Sequence, residues 1–273
     1  MSVTITASDV NKLRTMTGAG MMDCKKALTE TNGDFEAAID LLRKKGQKVA
    51  ANRSDRDAKE GLVIAKTSGT RGILVVLNCE TDFVAKNEDF GKVADSFATL
   101  ALDKAPADLA ALLAIPYESA TIGDKVIELV GKIGEKIELS KYEQISAAKV
   151  VAYNHPGNKL ACIVGFNKEV NDEVTKNVAM QVAAMAPVAV DKDDVDTTTL
   201  ERELDIAREQ VRAEGKPEDM VEKIAQGKLN KFYKESTLLN QEFIKDAKKS
   251  IRQYLQDSDK ELTVTGFKRI VLG

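Results

Sequence analysis

The spacing of hydrophobic positions changes period along the chain, from helical to strand-like and back again. Residues 1–46 carry apolar positions at helical spacing in three short blocks. Ser8 is placed to cap the first helix, with Val10 and Leu13 turned inward. Gly18-Ala19-Gly20 breaks it, and Met21, Cys24 and Leu28 then form one stripe of a second helix. Asn32-Gly33 closes that helix and Asp34 caps a third, where Phe35, Ala38, Ile39 and Leu42 recur at helical spacing on one face before Gly46 ends it. A three-helix unit this small exposes too little concave surface to hold a substrate, and reads as an interaction module. Residues 47–60 are charged and poor in large apolar side chains, which predicts a linker with some helix.

From Gly61 the pattern is that of strands. Residues 62–67 and 73–77 flank Ser68-Gly69-Thr70-Arg71-Gly72 and predict a β-hairpin. After a junction at 78–87 comes a helix with Phe90, Val93, Ala94, Phe97 and Ala101 on one face. Further helices fit 107–114 and 121–134, the latter capped by Thr121 with Ile122, Val126, Val130 and Ile133 in register. The hairpin-then-helix order then recurs. Residues 150–153 and 160–166 flank Asn154-His155-Pro156-Gly157-Asn158, and a helix follows with Val170, Val174, Val178, Val182 and Met185, ended by Pro187. The expected fold class is therefore α+β, with a core of two halves, 61–145 and 146–273, each a small antiparallel sheet covered by helices.

Inside the second half, 199–235 differs. Leu200, Leu204, Ala207 and Val211 make one narrow stripe; Gly215-Lys216-Pro217 turns the chain; Met220, Ile224 and Phe232 make another. Charge fills the remaining faces, so this insertion reads as an antiparallel helical hairpin projecting from the body, two ordinary core helices being the alternative. One more helix within 236–258, with Ile251 and Leu255 inward, and a closing strand over 262–272 complete the chain.

Composition narrows the function. A chain of 273 residues predicts two or three folding units, and 43% hydrophobic with 30% charged residues is the make-up of an ordinary protein with real cores. No apolar run approaches the ~20 residues of a membrane span. Met1-Ser2-Val3-Thr4-Ile5-Thr6 lacks a leader pattern, so the expected location is the cytoplasm and no membrane is involved. Cys24, Cys79 and Cys162 lie far apart without a CxxC pair, which favours buried reduced thiols over a disulfide or metal site. A net charge of -3 speaks against a nucleic-acid binder working by phosphate neutralisation. With His155 the single histidine, the usual stock for a catalytic or zinc site is nearly absent, and no metal or cofactor is expected. Gly18-Ala19-Gly20 lacks the lysine and preceding strand of a phosphate loop, and neither GxSxG nor HExxH occurs. Asp193-Asp194 are most simply solvated loop charges; Lys25-Lys26 fit a solvated helix face better than an anchor for a partner's carboxylate. These absences point to a binding protein.

The junction Asn78-Cys79-Glu80-Thr81-Asp82-Phe83-Val84-Ala85-Lys86-Asn87 stands out because it sets an aromatic beside a carboxylate where the chain changes element. Periodicity cannot orient a single aromatic. On the residues alone, Phe83 turning inward as a core anchor with Asp82 capping the next turn is favoured over a contact tip.

Two stretches carry a resemblance. Leu13-Arg14, then Thr17-Gly18-Ala19-Gly20-Met21-Met22-Asp23-Cys24-Lys25-Lys26-Ala27-Leu28, with Asn32-Gly33-Asp34 and Ala38-Ile39 following, resembles the N-terminal signature of the translation elongation factor Ts family. Asn78-Cys79-Glu80-Thr81-Asp82-Phe83-Val84-Ala85 resembles its second signature, and the likeness extends to the Gly-Lys-Pro hairpin and Val264-Thr265-Gly266-Phe267. The family is the guanine-nucleotide exchange factor for elongation factor Tu. The resemblance implies that 1–46 is a ubiquitin-associated-like module contacting the partner's nucleotide domain, and that 199–235 is a coiled-coil, dimerisation-type insertion. It also implies that Thr81, Asp82, Phe83 and Val84 intrude beside the partner's magnesium site. Arg14, Met21, Met22 and Lys25 match positions at or near the N-terminal interface. Ile133 and His155 match core positions facing the partner, although for His155 a plain turn histidine stays equally open. Longer members continue into a C-terminal helical tail that also touches the partner; this sequence ends at Gly273, which shifts the expected contact to the core and N-terminal module.

The implied function is binding to GDP-bound elongation factor Tu, displacement of Mg²⁺ and release of GDP, with no nucleotide bound by this chain itself. A non-catalytic adaptor that binds without promoting exchange is the competing reading; a nucleotide-binding enzyme is a weaker third, opposed by the missing phosphate loop. A helical hairpin can pair within or between chains, so a homodimer or a 2:2 complex stays open.

Overall fold

The computed structural model describes residues 4–273; residues 1–3, which open the predicted first module and the stretch read for a leader pattern, lie outside the described residues. In chain order the elements are α1 (Ala7–Thr17), α2 (Met21–Glu30), α3 (Phe35–Arg53), β1 (Glu60–Thr67), β2 (Arg71–Cys79), α4 (Asp82–Ala85), α5 (Glu88–Lys104) and α6 (Leu109–Leu113). A two-residue pair β3 (Pro116–Tyr117) and β4 (Ala120–Thr121) precedes α7 (Ile122–Ile133), β5 (Glu138–Ser146), β6 (Lys149–Asn154), β7 (Leu160–Phe166) and α8 (Asp172–Met185). Then come α9 (Thr197–Ala213), α10 (Glu218–Ser236), β8 (Glu242–Phe243), β9 (Asp246–Ser250), α11 (Ile251–Ser258) and β10 (Val264–Val271). Mixed helices and small sheets make the fold α+β, as expected.

The chain divides into two compact units that do not follow one cut in sequence: residues 1–62, 75–142 and 272–273 form the first, 63–74 and 143–271 the second. The loop end of the first predicted hairpin thus belongs with the later half. Hydrogen bonds explain the exchange: the Val63 N–H donates to the Asn158 carbonyl (2.7 Å), the Asn154 side chain brackets both main-chain groups of Ala65, and the Thr67 hydroxyl donates to the Val150 carbonyl.

In the first unit, α1, α2 and α3 enclose Val10, Leu13, Cys24, Ala27, Leu28 and Ala38, with Phe35, Ile39 and Leu42 packed against them. The first cap is Thr6 rather than Ser8, because Asp9 three residues on completes a reciprocal capping box with it. Gly46 does not end α3. It is buried inside the helix, which runs on to Arg53 into the stretch expected as linker. The reason is packing: α3 crosses α7, and a Cβ on Gly131 would stand 2.9 Å from the Gly46 Cα, so glycine here permits helix approach instead of stopping the helix. Along α5, Phe90, Ala94, Phe97 and Ala101 are buried as the spacing predicts, whereas Val93 is only partly buried and Ala98 joins the buried face.

The two larger sheets are three-stranded, in the orders β1-β2-β5 and β10-β7-β6, and β3-β4 and β8-β9 make two-stranded pairs. β5 lies in a stretch for which the apolar pattern predicts nothing: it buries mainly Leu139, and its other positions are partly exposed or exposed. In the second unit, β7 is antiparallel to both neighbours, pairing Cys162 with Tyr153 on one side and Arg269 on the other. Its Cys162, Val164 and Phe166 share one buried cluster with Val174, Val178 and Val182 of α8 and Ile251 and Leu255 of α11. Met185, expected in the same stripe, is exposed at the helix end. Within α10 the buried positions are Val221, Ala225 and Leu229, one register away from the expected stripe of Met220, Ile224 and Phe232. Small Ala207 and Val211 on α9 accept that closer-packed line, and Arg208 and Arg212 reach Glu222 and Glu218 across the pair. The three cysteines are free and buried. Among the described residues no helix is long and apolar enough to cross a membrane.

Candidate partner-binding site

The junction after β2 is a braced tip. β2 is buried from Gly72 to Cys79, and the chain leaves the sheet at Glu80. Thr81, in extended conformation, is the N-cap of α4, its hydroxyl accepting the Val84 N–H at 3.4 Å. Thr81 therefore does the capping that the sequence assigned to Asp82. α4 has four residues and buries Ala85. Phe83 precedes Ala85 by two residues, about 200° around a helix, so burying one turns the other out. Phe83 is 82% exposed, the most exposed large apolar side chain described. The inward reading of Phe83 is thus overturned. Asp82 is partly exposed and pairs with Lys86 one turn on at 2.6 Å, a surface ion pair of the kind that adds ~0.3–0.5 kcal/mol.

Beneath the tip, two carboxylates tie its base to the rest of the first unit. Glu135 accepts the N–H groups of Glu80 and Thr81, both at 3.1 Å, through Oε2, and the Thr81 hydroxyl at 2.6 Å through Oε1. Glu80 accepts the Lys136 N–H at 2.5 Å and the guanidinium groups of Arg53 (3.4 Å) and Arg56 (3.0 Å). The Lys136 N–H, aided by Arg56 and Arg53, holds the Glu80 carboxyl below its ordinary range against the opposing effect of burial. The Cys79 thiol donates to the Thr81 carbonyl at 3.1 Å. Burial pushes that thiol up to about 12, with the Glu135 and Glu60 carboxylates adding to it, so it is protonated at neutral pH and is no nucleophile.

The other expected site residues fall as follows. Arg14 on α1 and Lys25 on α2 are exposed. Met21 (54%) and Met22 (75%) are exposed too, with Met16 (57%) on α1 an addition the sequence did not single out. Met21 leaves the stripe it was expected to share with Cys24 and Leu28 because it opens α2 right after Gly20, beyond the module's core. Ile133, the last residue of α7, is half-buried. These residues and the tip belong to the first unit. His155 belongs to the second, exposed in the turn between β6 and β7, with Nδ1 3.1 Å from the Tyr153 hydroxyl. Glu135 and Arg53 were not legible as site residues, and Glu80 was read only as part of the junction. Among the described residues no three His, Cys, Asp or Glu side chains gather as a metal-holding group.

Fold and site together define an α+β protein that offers an aromatic and a carboxylate to solvent from a braced chain junction. The family described as elongation factor TS matches residues 80–273. An elongation factor Ts from Christiangramia forsetii is 51% identical over 273 residues, covering 98% of this chain and 99% of the relative. One from Cytophaga hutchinsonii is 54% identical over 275 residues, covering 98% and 99%. Another from Bacteroides thetaiotaomicron is 40% identical over 325 residues, covering 98% of each. The chain belongs to the elongation factor Ts family.

Proposed function

We propose that this chain is a guanine-nucleotide exchange factor acting on elongation factor Tu during the elongation phase of protein synthesis in the cytoplasm. Membership of the family supports the role, and the observation that carries the mechanism is the outward Phe83 beside Asp82 on α4. In this reading Thr81, Asp82, Phe83 and Val84 enter beside the partner's magnesium site. Mg²⁺ is the largest local charge holding the diphosphate, so displacing it loosens GDP without any bond being made or broken. The module of α1–α3, ubiquitin-associated-like by resemblance, contacts the partner's nucleotide domain through Arg14, Met21, Met22 and Lys25. Exposed methionines beside two cations suit an adaptable apolar contact with charge at its rim. Ile133 and His155 face the partner from the core. The pair α9–α10 is a coiled-coil arm able to close on itself or on a second copy, giving a homodimer or a 2:2 complex.

In thermodynamic form, GDP and this chain each bind the partner well alone and poorly together. Coupling of that kind is reciprocal and is typically worth a 5–150-fold change in affinity, roughly. The affinity of this chain for nucleotide-free elongation factor Tu is therefore expected to fall by about that factor when the partner is saturated with GDP, as read by titration calorimetry. Equal affinities for the two forms would speak for an adaptor that leaves the partner's ligand alone.

A further inference from the structure

We propose that Glu135 is the positioning residue of the tip: its carboxylate fixes the orientation in which Asp82 and Phe83 are presented, and through it the rate at which GDP leaves the partner. The inference rests on the exchange reading above.

A helix of four residues has no stability of its own, so its direction is set by what holds its ends. One end is held by burial of Ala85, the other by the Thr81 cap. An ionised carboxylate only accepts hydrogen bonds. Facing Glu135 Oε1 at 2.6 Å, the Thr81 hydroxyl must donate its proton there, which leaves its lone pairs to receive the Val84 N–H. Glu135 Oε2 meanwhile takes the N–H groups of Glu80 and Thr81, the two residues through which the chain leaves β2. The tie is mutual, because Glu80 in turn accepts the N–H of Lys136, the residue after Glu135.

Glu135 is also attached to something rigid. It follows Gly134, which ends α7 in the left-handed conformation, and α7 packs against α3 at the Gly46–Gly131 approach. Arg53 on the last turn of that same α3 pairs with Glu80. The tip thus takes its orientation from a helix pair and not from its own short helix, as sites that need sub-ångström placement do. Glu135 touches the partner in no step; it acts through Thr81.

The test uses the full chain as Glu135→Ala and Glu135→Gln. Two quantities are read: the maximal GDP release rate at saturating chain, and the affinity for nucleotide-free elongation factor Tu. Misplacement by about 1 Å can cost on the order of 100-fold, so Glu135→Ala is expected to lower the maximal rate about tenfold or more while affinity falls less than about threefold. Glu135→Gln keeps an oxygen for the two N–H groups and is expected to recover much of the rate. Wild-type rate in Glu135→Ala, or rate and affinity falling in proportion in both variants, overturns the proposal. Hydrogen exchange at the Glu80, Thr81 and Val84 amides reads the brace without the partner. Faster exchange there in Glu135→Ala, with β2 still protected, supports it; unchanged exchange overturns it. Should the wild-type chain itself fail to speed GDP release, the exchange reading falls, and amide exchange still decides whether Glu135 orients the tip.

Discussion

Replacing Asp82 and Phe83 together by alanine is expected to return GDP release from elongation factor Tu to within about twofold of its unassisted rate, while affinity for the nucleotide-free partner falls less than about tenfold, or ~1.4 kcal/mol. The split follows from where the two side chains stand. Phe83 is 82% exposed, so its truncation opens no cavity in the core. Asp82 has Lys86 as a surface partner, and losing such a pair costs a few tenths of a kcal/mol. The variant therefore keeps its fold, with a melting temperature within ~1–2 °C of the parent. Under the proposed function its remaining surfaces, the exposed methionines of α1 and α2 among them, are expected to keep binding. What is lost is the wedge. Release kinetics with labelled GDP, set beside calorimetric binding, separate the two quantities; an undiminished release rate in the double variant would contradict the assignment of the tip.

The largest expected effect on stability lies at Gly61. Its φ is +143°, and a Cβ there would stand 2.2 Å from the Leu77 carbonyl oxygen and 2.7 Å from the Asn78 Cα. Those are backbone atoms of β2, which cannot yield without breaking the sheet. Asn78 is further fixed, its side chain donating to the Glu60 carbonyl at 3.1 Å and accepting from the Ser140 hydroxyl. Strain of ~1–3 kcal/mol for the backbone conformation, added to ~1–3 kcal/mol for overpacking, gives about 3 kcal/mol or more for Gly61→Ala. In a chain of this size that is a loss of roughly 6–12 °C in melting temperature. Gly69→Ala is the control, since φ there is +93° but nothing lies within 4 Å of the new Cβ. Only the local strain remains, and the expected loss is ~1 kcal/mol. Thermal unfolding followed by far-ultraviolet circular dichroism reads both; a Gly61→Ala melting point within ~2 °C of the parent would show that β2 can move aside.

Periodicity reached most elements because most bury one face. The stripes of α5 and α8 were legible for that reason, Val93 and Met185 apart, while β2 and β7 read as continuous apolar runs because both of their faces are buried. It failed where burial is shared differently. β5 buries little beyond Leu139, so no alternation marks it. Gly46 resembles a helix stop to any local rule, and only the crossing with α7 explains its place inside α3. On α10 two stripes one residue apart are both apolar, and the choice of Val221, Ala225 and Leu229 is made by what α9 offers opposite. At the site, the residues of the tip were legible but their direction was not. Phe83 points outward because Ala85 is the side chain α4 buries, and the Thr81 cap is oriented by Glu135, distant in sequence, which accepts the hydrogen bond of its hydroxyl.

The measurement that tests the central claim most directly is the release of fluorescent GDP from purified elongation factor Tu in stopped flow, with increasing amounts of this chain and excess unlabelled nucleotide. The predicted result is a release rate that climbs with the concentration of the chain and levels off when the partner is saturated. A release rate that stays flat while the two proteins demonstrably bind would contradict it.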